Sequence, residues 1–139
     1  MRFTQDKKHR LIVLDDLITE VSSSQTIQDL FCQFCHHRNC SVIYITQNLF
    51  NQGKCSRTIA LNTHYIILLK TLRNRSQIAY LSRQLFPHSS HLLEEAYDHC
   101  MQQPYSYLVI DLSPHSLDEY RVRTHIFPGE YPLIFVSSK

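Results

Sequence analysis

The chain has 139 residues, of which 43% are apolar and 19% charged, and its formal net charge is +2. This size and balance predict one soluble domain over residues 1–139, and so small a net charge does not by itself indicate nucleic-acid binding. No run approaches the roughly 18 apolar residues that span a membrane, and the polar start MRFTQDKKHR does not resemble a signal peptide. We therefore expect an intracellular protein of the nucleus or cytoplasm that is not secreted and does not contact a membrane. Five cysteines, an odd number, fit a reduced chain better than a disulfide scaffold.

The first predicted element is a strand over residues 11–15, within the sequence LIVLDD. Four consecutive apolar residues without alternation predict a strand that is buried on both faces, as in a parallel sheet covered by helices. A helix should follow from the capping residues Ser22 to Ser24 through about His37. Residues 40–48 and 64–70 are rich in β-branched and aliphatic side chains, and they predict two more strands.

The second half of the chain predicts two helices followed by two strands. The helices cover residues 73–86 and 89–103, and Pro87 separates them because proline cannot continue the first. The strands cover residues 105–112 and 120–127. Together the elements predict an α/β sheet that is parallel at its start and antiparallel at its carboxyl-terminal end.

Polar side chains end each of the first two strands. A crossover helix brings these strands parallel, so Gln47 and Asn48 should emerge at the same edge of the sheet as Asp15 and Asp16. Open α/β sheets bind ligands at this edge. In an NTPase the first carboxylate holds magnesium, the second polarises the attacking water, and the amide contacts that water or the terminal phosphate. The alternative is that the acid pair only begins a loop, since short motifs often match by chance.

A resemblance to a known family rests on three segments: LIVLDDL, HHRNCSVIYITQNLFNQGKCSRTIALNTHYIILLK and RNRSQIAYLSRQLFP. Over about residues 10–127, the chain resembles the carboxyl-terminal half of the genome-packaging ATPases of large DNA viruses and virus-like transposons. These are P-loop motors of the FtsK–HerA class, including the poxvirus-type and Maverick- or adintovirus-like enzymes. The resemblance implies a P-loop NTPase-like sheet that lacks the P-loop strand.

The same resemblance implies roles for particular residues. Asp15 would be the magnesium ligand, Asp16 the catalytic base and Gln47 the sensor. Arg57, and with less support Arg73 or Arg75, would reach a neighbouring subunit as an arginine finger. The intact motor would use ATP and magnesium, form a homo-oligomeric ring and act on double-stranded DNA.

One feature of the family is missing from the sequence. A phosphate loop has the pattern G-x-x-x-x-G-K-[ST], in which backbone amides and a lysine hold the phosphates. NLFNQGKCS comes nearest, but Asn48 stands where the first glycine is needed and Cys55 follows Lys54. This segment also lies after the acid strand, whereas the phosphate loop of this class precedes it. We expect that an upstream half is missing or that the chain is a domesticated remnant, and that it binds nucleotide weakly at best alone.

The cysteine-rich segment CQFCHHRNC suggests a rival site. Cys32, Cys35, Cys40 and the two histidines His36 and His37 are ligand types that zinc prefers. However, the first two cysteines fall in a predicted helix, where cysteine behaves as a small buried apolar residue, and we favour that interpretation.

Two functions from different classes fit the sequence. The chain is either the catalytic half of a DNA-translocating ATPase, inactive alone, or a non-enzymatic α/β module that serves as an interaction surface or is a domesticated viral remnant. An upstream G-K-[ST] loop in the same reading frame would favour the first.

Overall fold

The structure is a computed structural model that describes residues 8–15, 24–34, 39–48, 54–71 and 75–137. The chain divides into two compact units, Met1–Thr63 and His64–Lys139. Each unit has its own sheet in the described residues: two parallel strands in the first and four antiparallel strands in the second. That the chain forms one domain stays a prediction.

The amino-terminal unit alternates strands and helices. Its elements are β1 (Arg10–Asp15), α1 (Gln25–Asp29), a π-helical turn (Leu30–Phe34) that continues α1, β2 (Cys40–Ile45) and α2 (Lys54–Leu61). Helix α1 begins where the Ser24 hydroxyl accepts a hydrogen bond from the Ile27 amide at 3.4 Å. This bond satisfies one of the amides that lack a partner at a helix start.

The helices of this unit cover one face of the parallel pair. Phe31 and Ile59 are buried there, and they pack against partly buried residues of both strands and of α1: Leu14, Ile27, Val42 and Tyr44. The rings of Phe31 and Tyr44 meet edge to face, with centroids 6.5 Å apart. The opposite face of the sheet is exposed, including Val13 at 53% and Ile43 at 47%.

The carboxyl-terminal unit is an antiparallel sheet with a helical hairpin. Its elements are β3 (Tyr65–Leu69), α3 (Arg75–Leu85), α4 (Leu92–Cys100), β4 (Tyr107–Asp111), a 3₁₀ turn (Asp118–Tyr120), β5 (Val122–Thr124) and β6 (Leu133–Phe135). The strands lie in the order β3-β4-β5-β6.

Helix α4 is central to the second core. It contacts α3, β4 and β5. Its buried residues Leu93, Ala96, Tyr97 and Cys100 recur at the three- and four-residue spacing of one helix face. Leu108, Ile110 and Val122 of the sheet are also buried, at 0–1% exposure, so this unit has a close-packed apolar core.

The predicted order of strand types is confirmed, while several details differ. The parallel start and antiparallel end are present, but they form two sheets rather than one in the described residues. The expectation that β1 is buried on both faces is wrong, because its described residues alternate between half-buried and exposed side chains. The predicted strand at 120–127 is only three residues long, and α2 and β6 were not predicted.

Candidate functional site

The first two strands run parallel, and this sets where their polar ends lie. The register pairs Asp15, the last residue of β1, with Ile45, the last residue of β2. Gln47 follows two residues later. The prediction that the first two strands pair in parallel is therefore confirmed, and the pairs run from Arg10–Cys40 to Asp15–Ile45, so that Gln47 follows at the same edge as Asp15. The roles assigned to these residues stay predictions.

A short turn fixes the backbone around Gln47. The Thr46 hydroxyl accepts a hydrogen bond from the Asn48 amide at 3.2 Å and donates to the Asn48 carbonyl at 3.1 Å. Such side-chain bonds two residues along the chain replace a backbone turn. Asp15 and Gln47 are both exposed, so a ligand in solution can reach this edge.

The other predicted site residues are less fully described. Asp16, the predicted base, and Arg73 lie outside the described residues. Arg57 lies in α2, which follows the Gln47 turn along the chain. Arg75 forms an ion pair with Asp98 inside the carboxyl-terminal unit, so this finger candidate already has an acidic partner.

The predicted magnesium ligand, Asp15, ends β1 at this edge. Asp15 supplies one exposed carboxylate, which is a ligand type that magnesium prefers. No group of three or more histidine, cysteine or acidic residues that could hold a metal occurs in the described part of the chain. Magnesium in nucleotide enzymes is held by one or two carboxylates together with substrate phosphates. Asp15 therefore fits one ligand position, and the phosphates of a bound nucleotide would have to supply others.

Part of the cysteine-rich segment can also be placed. Cys32 lies in the π-helical turn, where it is half-buried, and its sulfur accepts a hydrogen bond from the Asn62 side-chain amide at 3.5 Å. Cys40 begins β2. Cys35, His36 and His37 lie outside the described residues, so the choice between zinc ligands and buried apolar cysteines stays a prediction.

A buried carboxylate in the second unit was not among the predicted site residues. Asp111 ends β4 with 2% exposure, and its carboxylate accepts hydrogen bonds from Arg123 Nη2 at 2.7 Å and the Ser113 amide at 3.0 Å. Burial by itself raises the pKa of Asp111, but the hydrogen bonds from Ser116, Ser113 and Arg123 outweigh burial and lower it. Ser113 lies in the turn that follows β4, and Arg123 lies in β5, which pairs with β4. These contacts indicate a structural role for Asp111.

A shallow cavity of about 280 Å³ lies beside α4. Its lining residues are Lys70, Thr71, Arg75, Tyr97, Asp98, Met101 and Gln102. The buried Tyr97 hydroxyl accepts a hydrogen bond from the Thr71 amide at 2.9 Å and donates to the Leu69 carbonyl at 3.1 Å. These bonds hold the end of β3 against α4, so the tyrosine has a structural explanation.

Comparisons with known proteins identify no relative. No protein-family model, curated protein or solved structure matches the chain. Among the described residues, no helix has the length and apolar character needed to cross a membrane.

Proposed function

We propose that this chain carries the acid-and-sensor half of a DNA-translocating P-loop ATPase, and that it needs a phosphate loop from elsewhere to hydrolyse ATP. The observation that supports this proposal is the parallel register of β1 and β2, since it brings Asp15 and Gln47 to one exposed sheet edge. Open parallel sheets bind nucleotides at the carboxyl ends of their strands.

Each residue has a distinct role in this proposal. Asp15 holds magnesium, which neutralises developing charge on the phosphates when it is bound. Asp16, the next residue in the chain, accepts a proton from the attacking water. Gln47 orients that water or the terminal phosphate through its side-chain amide, and Arg57 reaches the nucleotide of a neighbouring subunit in a homo-oligomeric ring.

The missing phosphate loop determines what the chain does alone. Without backbone amides and a lysine around the phosphates, most of the nucleotide binding and charge stabilisation is lost. The 139-residue chain should therefore hydrolyse ATP no faster than buffer does. Its proposed substrate, double-stranded DNA, would be moved only by the assembled motor.

A two-step experiment tests this proposal. First, the genomic sequence upstream of the coding region is read for a predicted strand followed by G-x-x-x-x-G-K-[ST] in the same frame. Second, phosphate release from ATP is measured for the present chain and for the extended chain. Turnover only in the extended chain would support the proposal. Turnover by the present chain that disappears in Asp16→Asn would overturn the requirement for a separate loop.

The second candidate function, a non-enzymatic interaction module, is favoured by a different observation. Apolar side chains line exposed strand faces in both units, including Leu11 at 59%, Val13 at 53% and Ile67 at 55% exposure. Exposed apolar patches commonly mark interaction surfaces. If the upstream sequence encodes no phosphate loop, the interaction module is favoured over the ATPase.

A further inference from the structure

Strand β3 lies at one edge of the four-stranded sheet. The Leu112 amide donates to the His64 carbonyl at 2.8 Å, and these residues lie directly opposite each other when the β3–β4 register is extended by one pair. In an antiparallel ladder, alternate residues bond to the same neighbour. Ile66 therefore bonds to β4, whereas the backbone groups of Tyr65 and Ile67 point away from it.

Among the described residues, no strand other than β4 pairs with β3, so the outward-pointing backbone groups of β3 face no partner strand there. In the described part of the chain, no hydrogen bond joins the backbone amides or carbonyls of Tyr65 and Ile67 to another residue. At the end of the strand, the Leu69 carbonyl accepts the Tyr97 hydroxyl at 3.1 Å, as expected for a group that does not bond to β4. A carbonyl has two lone pairs, so this bond leaves Leu69 able to accept a second donor.

The side chains of β3 do not protect this edge. Tyr65, Ile67 and Leu69 are 54%, 55% and 64% exposed and lie on the same face of the strand. Natural edge strands usually carry a charge, a proline or a bulge that prevents pairing with another chain. Tyr65–Leu69 contains no charged residue or proline and pairs with β4 in an unbroken register. By contrast, β1 begins with Arg10 and ends with Asp15.

We propose that β3 pairs antiparallel with β3 of a second copy of this chain, around a two-fold axis at Ile67. The outward-pointing residues are spaced symmetrically about Ile67, so the rotation places Tyr65 opposite Leu69 of the other copy and Ile67 opposite its own equivalent. The strand is therefore complementary to itself, and such a contact closes after two copies. The two four-stranded sheets join into one continuous sheet.

The size of the contact sets its strength. A strand of five residues with three exposed apolar side chains buries less than the roughly 1,200 Å² of a standard interface. The dimer is therefore weak and dissociates on dilution. This inference does not rest on the proposed ATPase function, because it uses no residue of the Asp15 edge.

Sedimentation velocity over a range from low micromolar to submillimolar protein tests the dimer. The wild-type chain should shift from monomer to dimer as concentration rises. Ile67→Lys should raise the dissociation constant at least about tenfold, because the two-fold axis places the two lysines together. Tyr131→Lys is the matched control: Tyr131 is 91% exposed and lies outside β3, so this variant should dimerise like the wild type. Circular dichroism checks that both variants are folded.

Two further variants distinguish this edge from others. Val13→Lys changes the exposed face of β1, and loss of the dimer in this variant but not in Ile67→Lys would overturn the proposal. Ile67→Cys should form a disulfide across the axis on mild oxidation, identified by mass spectrometry as the residue 67 peptide linked to itself, because opposed strand residues lie within disulfide reach. A monomer at every concentration, or links through other cysteines alone, would also contradict it.

Discussion

Replacing Asp111 with alanine should destabilise the carboxyl-terminal unit strongly. The Asp111 side chain is 3% exposed, and the change removes the acceptor for Arg123 and for the Ser113 amide. Removing one partner of a buried ion pair costs about 3–5 kcal/mol of unfolding free energy. Because the Arg123 side chain is 26% exposed, its charge regains water in the variant. We therefore expect a loss of about 2–3 kcal/mol, below the usual cost.

The chain contains a matched control for this prediction. Asp118 also accepts from an arginine at 2.7 Å, the same distance as the Asp111–Arg123 pair, but its side chain is 92% exposed. Water screens such a pair, so Asp118→Ala should cost less than about 1 kcal/mol. The two variants thus differ in the burial of the carboxylate and in the additional hydrogen bond that Asp111 accepts from the Ser113 amide.

Urea unfolding followed by circular dichroism measures both losses, since the chain has no tryptophan for fluorescence. Native-state hydrogen exchange at the Leu108 and Ile110 amides assigns the loss to the carboxyl-terminal unit, where these buried residues lie in β4. Equal losses of unfolding free energy in Asp111→Ala and Asp118→Ala would refute the reasoning, because they would mean that burial does not determine how much the Asp111–Arg123 pair stabilises the unit.

Three further predictions concern the same unit. Tyr97→Phe should cost about 1–2 kcal/mol in urea unfolding, because the partly buried Thr71 amide loses its acceptor; an unchanged midpoint would contradict this. Leu93→Ala should cost about 2–5 kcal/mol and Leu117→Ala far less, since the two leucines are 0% and 66% exposed; similar costs would contradict the burial of Leu93 in the core of this unit. The lowered pKa of Asp111 means that its stabilisation is present above the pKa of about 3.9 in the unfolded chain and is lost as pH falls through the folded pKa. The stability difference between wild type and Asp111→Asn should therefore be full near neutral pH and shrink in acid, and a constant difference would argue against the assignment.

The sequence predicts the order of elements well because strong patterns carry it. The apolar runs of β1 and β2, and the helical spacing in α3 and α4, appear close to the predicted positions. Ser24 caps α1 as the capping residues suggested. Such signals are local, and they remain visible without knowledge of the rest of the fold.

The elements that the sequence does not predict depend on distant contacts. Helix α2 contains Ser56 and Thr58, which are weak helix formers, but Ile59 packs against Phe31 from a distant part of the chain. Strand β6 has only three residues, too few to show a period. A short apolar run likewise does not reveal whether a second layer covers a strand. This is why the sequence predicted burial of β1 on both faces, although one face is exposed.

The sequence predicts where the candidate site residues lie along the sheet, because strand direction determines that, but it does not predict their roles. Parallel pairing follows from the crossover connection, and it places Asp15 and Gln47 at one edge. The proposed side-chain roles would depend on a bound nucleotide and on neighbouring subunits, and no local pattern encodes these. The pairing of the buried Asp111 with Arg123 joins residues of two different strands, so it leaves no local signal in the sequence.

ATP turnover by the chain extended with its in-frame upstream segment tests the central claim most directly. Binding of a fluorescent ATP analogue should be measured beside phosphate release for the wild type, Asp16→Asn, Gln47→Ala and the control Asp118→Ala. We predict that the wild type and the control hydrolyse ATP, whereas Asp16→Asn and Gln47→Ala bind the analogue but lose turnover, because in the proposed mechanism these residues act on the attacking water. Hydrolysis that is unaffected by Asp16→Asn and Gln47→Ala, or an upstream segment without a phosphate loop, would contradict the assignment.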